Sequence, residues 1–134
     1  MSGETNLQTL LRSLNPLLQT ESCVFTYIPK KNNFDWSMIK PMGMFQEQEG
    51  TTLILEQHIA DFHTLSYEGI FSCITLQVHS SLNAVGLTAA VSQALAQRNI
   101  PANMIAGYHH DHIFIPQDRA SDAIHILKNL AKDL

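Results

Sequence analysis

The stretch Phe71-Ser72-Cys73-Ile74-Thr75-Leu76-Gln77-Val78-His79-Ser80-Ser81-Leu82-Asn83-Ala84-Val85-Gly86 decides the fold. Ile74, Leu76 and Val78 fall on one face and Cys73, Thr75 and Gln77 on the other, the two-residue period of a strand. Residues 80–83 break that period. The alanine-rich residues 84–99 then place Leu87, Val91, Ala94 and Leu95 on one helical face, with Asn83 positioned to cap the first turn. A strand thus feeds a helix amino terminus. Downstream, residues 102–107 and 112–115 predict two strands joined by a tight His-rich hairpin. Pro116 and Asp118 open a last helix whose buried stripe is Ala120, Ala123, Ile124, Leu127 and Leu130.

Upstream, Leu7, Leu10, Leu11, Leu14, Leu17 and Leu18 recur at helical spacing behind Thr5 or Asn6 as cap, and Pro16 ends or bends that helix near Leu14. Residues 23–28 are β-branched and aromatic and stop at Pro29, which predicts a strand. A polar loop over 30–41 follows, then a strand over 51–56 opened by Gly50, and a short helix carrying Ile59, Phe62 and Leu65. The order α, β, β, α recurs in the second half once its first strand is removed, a weak internal duplication. The fold class expected is α+β, built of ferredoxin-like units with helices on one face of antiparallel sheets. The halves are residues 1–68 and 69–134. About five strands for two four-stranded units require that the halves share or exchange a strand, or complete their sheets across a dimer.

Apolar residues make up 45% of the 134, enough for a core without disulfides or metal. Charged residues are only 15%, and eight basic against twelve acidic side chains give a net charge of −4, which repels nucleic-acid phosphate and anionic membrane. Neither partner is expected. No signal-peptide pattern or spanning run is visible, and Cys23 and Cys73 lack a C-x-x-C spacing, so reduced core thiols in the cytoplasm are expected. The sequence holds no G-x-S-x-G, H-E-x-x-H, Walker or dinucleotide-binding pattern. His79 and Ser80 are neighbours in an extended segment, where successive side chains diverge, so they are not a base and nucleophile pair. No reaction and no cofactor is implied.

Two segments carry recognition chemistry. The turn Ser80-Ser81-Leu82-Asn83, ahead of a helix amino terminus, offers N–H groups, hydroxyls and a favourable dipole to a carboxylate or phosphate, and Gly86 permits close approach. Ser81 or Asn83 acting as a simple helix cap is the alternative. The second segment is Gly107-Tyr108-His109-His110-Asp111-His112, where a carboxylate can take an α-ammonium group and Gly107 leaves space beside it. Here the alternative is a turn Asp among solvated histidines. A carboxylate receptor and an ammonium receptor together describe a free amino acid. A metal site from His110, His112 and His79 is a further possibility. Strand alternation limits it, since His110 and His112 point one way and His109 and Asp111 the other. Tyr108 and Trp36 are candidates to stack on a ligand.

The run from Val78 to Thr88, with Asn99-Ile100-Pro101 and the run from Ala106 to Pro116, resembles the ACT-type amino-acid-sensing domains of the aspartokinase-like branch. More narrowly it is similar to small stand-alone bacterial proteins of two fused ACT-like halves, a group related to cytosolic arginine sensors. The resemblance is specific over residues 71–134. Over 7–68 it is looser, resting on Val24-Phe25 and on residues 45–53. It implies a non-catalytic regulatory module that binds a small amino acid at an ACT–ACT interface as a homodimer. Position by position, it implies the ligand carboxylate near Ser80, Ser81 and Asn83, the amino group on Asp111, and Gly86 and Gly107 at a crowded interface. The Pro-Gly pair of many ligand-binding members is replaced here by Asn83-Ala84 and Val85-Gly86. A ligand-free dimerisation or protein-interaction module, or a His-rich metal-binding protein, are the alternatives.

Overall fold

Asn15 takes a left-handed φ of 45° and Pro16 follows it, and together they turn a helix into a strand. The structure, a computed structural model, describes residues 3–31, 34, 35, 37–130 and 132. Helix α1 spans Leu7–Arg12 and strand β1 spans Pro16–Pro29; β2 (Gly43–Gln46), β3 (Gly50–Glu56) and α2 (Gln57–Phe62) follow. The remaining elements are β4 (Phe71–Leu76), α3 (Leu87–Ala96), β5 (Asn103–Ala106), β6 (Asp111–Pro116), a 3-10 turn (Gln117–Arg119) and α4 (Ala120–Leu130). These pack as two units, one comprising residues up to Thr20 together with Ser72 onward, the other Glu21–Phe71.

In the first unit the strand order is β1, β4, β6, β5, with β1 represented by its opening residues. Alternation sends Ile74 and Leu76 of β4 and Ile113 and Ile115 of β6 into one core with Leu87, Val91 and Leu95 of α3 and Leu127 of α4. Leu10, Leu11 and Leu14 of the amino-terminal segment are buried in that same cluster. Each such side chain contributes about 1.5–3 kcal/mol by leaving water. Asn6 caps α1, its Oδ1 accepting the Thr9 N–H at 3.0 Å. The opposite faces of β4 and β6 carry Cys73, Thr75, His112 and Phe114.

In the second unit the order is β2, β3, β1, and both pairings are antiparallel. Val24 and Ile28 of β1 and Leu53 and Leu55 of β3 form its core with Ile39 and Ala60. Gly50 sits opposite Pro29, where a Cβ would meet the Ile28 carbonyl oxygen at 2.3 Å. No larger residue fits there without moving the strand.

The architecture is α+β, with helices packed against sheet strands, as expected, and several boundaries differ from the sequence reading. The leucine spacing that extends a helix to Leu18 is interrupted at Asn15, so Leu17 and Leu18 lie in β1. Among the described residues six strands are present where about five were expected; the extra one, β2, is short and mostly exposed. The packing units also cut across the sequence halves, because α1 buries its leucines against β4, α3 and β6. Strand β1 supplies residues to both units.

Candidate functional site

Helix α3 starts three residues later than the sequence suggested, and this shapes the site. Asn83 is not its cap. The Ser81 carbonyl accepts the Ala84 N–H at 3.0 Å and the Ser81 hydroxyl accepts the Asn83 N–H at 3.1 Å, which winds residues 81–84 into a turn. Gly86 then takes the N-cap position at φ +100°, a conformation costly for any side chain, and a Cβ there would approach Leu7 Cδ2 at 3.1 Å. Having no side-chain acceptor, Gly86 leaves the helix end without a side-chain cap. The first intrahelical bond runs from the Ala90 N–H to the Gly86 carbonyl at 2.9 Å. The N–H groups of Leu87, Thr88 and Ala89 therefore have no acceptor within the helix.

That uncapped end opens into a cleft of about 90 Å³ lined by Ser80, Ser81, Leu82, Ala84, Leu87, Thr88, Ala106 and Asp111. The Ser80 hydroxyl hydrogen-bonds the Asp111 carboxylate. Burial pushes the Asp111 carboxyl above the usual aspartate range, against the opposing influence of His112, the Ser80 hydrogen bond and His110. The structure thus brings Ser80, Ser81 and Asp111 together. Asn83 instead lines an adjoining cavity of about 240 Å³ with Gly3, His79, Tyr108 and the shared Ser80, Ser81 and Leu82. Gly86 and Gly107 line neither. Gly107 closes the β5–β6 hairpin, donating its N–H to the His110 carbonyl at 2.9 Å, and a Cβ there would lie 2.7 Å from that oxygen. The crowding at both glycines comes from the unit itself.

A strap that the sequence reading missed borders the site. Glu4 forms a parallel bridge with Ser80: its N–H donates to the His79 carbonyl at 3.0 Å and its carbonyl accepts the Ser81 N–H at 2.9 Å. One N–H expected to receive a ligand carboxylate is thereby occupied. A Cβ on Gly3 would fall 2.6 Å from the His79 oxygen, so only glycine lies flat on this loop. The Glu4 carboxylate accepts the Thr5 and Asn6 N–H groups at 2.8 and 2.9 Å, which hold it below the ordinary glutamate range.

The histidines diverge. His109 stacks edge-on with His79 at 5.2 Å and with Tyr108 at 5.0 Å. His112 points to the other face of β6, where its Nδ1 lies 3.0 Å from the Thr75 hydroxyl; that hydroxyl accepts from Gln19 Nε2 at 3.1 Å. The Thr75 hydroxyl, which can both donate and accept, thus links Gln19 of β1 to the His112 ring. Among the described residues, no three His, Cys, Asp or Glu side chains are placed to hold a metal ion. His79 meets His109 while His112 meets Thr75 on the other face of β6, so the alternative of a metal site from His110, His112 and His79 gains no support from this geometry. Trp36 lies outside the described residues. Burial raises the Cys73 thiol above its ordinary value, which keeps it protonated and a poor nucleophile.

Burial lowers the His112 value, the neighbouring His110 lowers it further and Asp111 opposes both. A depressed folded value means that His112 adds stability above pH about 6.5, and that this is lost as pH falls from there through the folded value. Urea unfolding at pH 7.5 and 5.5 is expected to show a larger loss on acidification in the wild type than in His112→Gln. Equal losses in the two proteins would remove His112 as the cause.

A family profile described as the ACT domain matches residues 2–72, and a second ACT-domain profile matches residues 69–129. The chain belongs to the ACT-domain family. That family consists, in general, of regulatory, ligand-binding modules. A Vibrio cholerae protein of unknown function, described as a possible transport protein, is 42% identical over 93% of this ACT chain and 95% of its own, with a TM-score of 0.83. A protein from Agrobacterium tumefaciens has a TM-score of 0.71 at 12% identity, covering 87% of each chain. The ligand-free regulatory subunit of aspartate kinase from Thermus thermophilus has a TM-score of 0.61 at 9% identity over 86% of this chain and 95% of its own. The last two likenesses are likenesses of fold. No curated protein matches the chain. Among the described residues, no helix is long and apolar enough to cross a membrane.

Proposed function

We propose that this two-ACT chain is a non-catalytic regulatory module that binds a small free amino acid in the cleft between the uncapped start of α3 and Asp111. The observation that carries this reading is the convergence of two complementary receptors in one cleft. The N–H groups of the first turn of α3 and the Ser81 hydroxyl suit the ligand carboxylate, and Asp111, oriented by the Ser80 hydroxyl, suits the α-ammonium group. About 90 Å³ is the room of roughly three waters at ~30 Å³ each, so a short side chain such as that of glycine, alanine or serine fits the reading.

Leu82, Val85 and Tyr108 are exposed on the two loops that border the site. Their exposure supports a homodimer in which a second copy covers them and completes an ACT–ACT interface. The division into repeats at residues 1–68 and 69–134 draws support from the two family matches, which meet over residues 69–72. The two buried thiols, Cys23 and Cys73, fit a reducing, cytoplasmic setting.

Thermal unfolding in the presence of each proteinogenic amino acid tests the reading. A small amino acid at about 100 times its dissociation constant is expected to add ~2.7 kcal/mol of stability. A dimer that responds to none of them would favour the ligand-free interaction module instead.

A further inference from the structure

The acidic average of this chain conceals one basic cleft, in the unit formed by the amino-terminal residues and the second half, which shares no lining residue with the amino-acid site. About 500 Å³ of space is lined by Arg98, Arg119, Ser121, Asp122, His125 and Ile126. The chain has only three arginines, and two of them are here. Arg119 is held rigidly at the carboxy-terminal end of α3. Its two terminal nitrogens donate to the Asn99 carbonyl at 3.3 Å and the Arg98 carbonyl at 3.1 Å, and its Nε lies 3.6 Å from Asp122. A guanidinium has five N–H donors, so one N–H on each terminal nitrogen is left over, in a plane already fixed. The Arg98 guanidinium has no hydrogen-bond or ion-pair partner among the described residues. Ser121 adds a hydroxyl. His125 adds an imidazole whose Nε2 is engaged by Asn129 at 3.1 Å.

We infer that this cleft binds the phosphoryl group of a small phosphorylated metabolite. Two guanidinium groups against one carboxylate leave an excess of positive charge, and Asp122 is largely exposed, so its attraction for Arg119 is weakened by water. The paired planar donors match the oxygens of a phosphate, and two guanidinium charges suit a dianion better than the single charge of one carboxylate. The net charge of −4 does not forbid this, because charges beyond about 8 Å are screened at physiological ionic strength. A volume of about 500 Å³ equals roughly seventeen waters at ~30 Å³ each, more than a bare phosphate fills. The cleft thus has room for a ligand with an organic portion resting against Ile126.

Calorimetric titration of the intact protein with adenosine monophosphate, ribose 5-phosphate, inorganic phosphate and citrate tests the inference. Saturable binding of at least one phosphate ester, tighter than that of inorganic phosphate, is expected. Arg98→Ala removes an exposed side chain without a partner, so its unfolding midpoint should stay at the wild-type value while the affinity falls about tenfold or more, the loss of a charge-assisted donor. Arg98→Lys should retain part of it. Four results overturn the inference: silence with all the esters, citrate binding alone, inorganic phosphate bound as tightly as the esters, or an Arg98→Ala protein that binds like wild type.

Discussion

Leu10→Ala is expected to cost about 2–5 kcal/mol of unfolding free energy, the range for truncating a fully buried leucine to alanine. Leu10 has no exposed surface, and its methyl groups lie in the cluster formed by β4, α3, β6 and α4. The cavity left behind is walled by elements that cannot close on it without leaving their strand and helix positions. With a whole domain stabilised by only about 5–15 kcal/mol, this is a large part of the total. Urea unfolding followed by far-ultraviolet circular dichroism measures it. The result also tests the architecture. If α1 belonged to a self-contained first half, the substitution would leave the second-half strands protected from hydrogen exchange; burial with Ile74, Val91 and Ile113 means that their amides lose protection with it. A cost below about 1 kcal/mol would contradict that packing.

The contrast between α1 and the rest of the chain explains which parts of the fold were legible in the sequence. Periodicity found β4, α3 and α4, whose apolar residues recur at the period of their element, whereas β3, β5 and β6 were legible as short apolar runs between turns. β2 gave no such signal: Met44 and Phe45 are exposed, and the strand exists through its ladder with β3. The start of β1 was hidden because Leu17 and Leu18 continue the leucine spacing of α1, and only the backbone reversal at Asn15 separates the two. Periodicity also says which face is buried but not against what, so the assignment of α1 to the second-half core was beyond it.

At the candidate site, the residue types were legible in the sequence and their geometry only partly so. Ser80, Ser81 and Asp111 were singled out by residue type and converge on one cleft. Asn83 was assigned as a cap because its side chain suits that role. The left-handed turn at Gly86 moved the helix start beyond its reach. Thr88 gave no sign, being an ordinary helix residue until the helix start is known. The strap at Gly3 and Glu4 was equally silent, since a single β-bridge leaves no periodic trace. The Gln19–Thr75–His112 chain joins three strands and could be found only after their order was fixed.

Asp111→Asn is expected to abolish the stabilisation by a small amino acid while making the unliganded protein more stable at pH 7. Both effects follow from one cause. Burial raises the Asp111 value, so ionising the carboxylate runs against the preference of its surroundings. For an acid whose folded value lies above its unfolded value of about 3.8, stability is greatest while the group is protonated and declines as pH rises through the folded value. Asparagine keeps the shape and a hydrogen bond to Ser80 but carries no charge, which removes that decline. It also removes the countercharge for an α-ammonium group, so the ~2.7 kcal/mol expected at 100 times the dissociation constant should fall to near zero. Thermal unfolding with and without ligand, in both proteins, at pH 7 and pH 4.5, measures the two effects together. The advantage of the variant should shrink as pH falls, because the raised value lets wild-type Asp111 take up its proton more readily than the unfolded chain does. A variant that loses both ligand response and stability would mark Asp111 as a support of the hairpin, whereas gain of stability with loss of response marks a charge kept in place for a ligand.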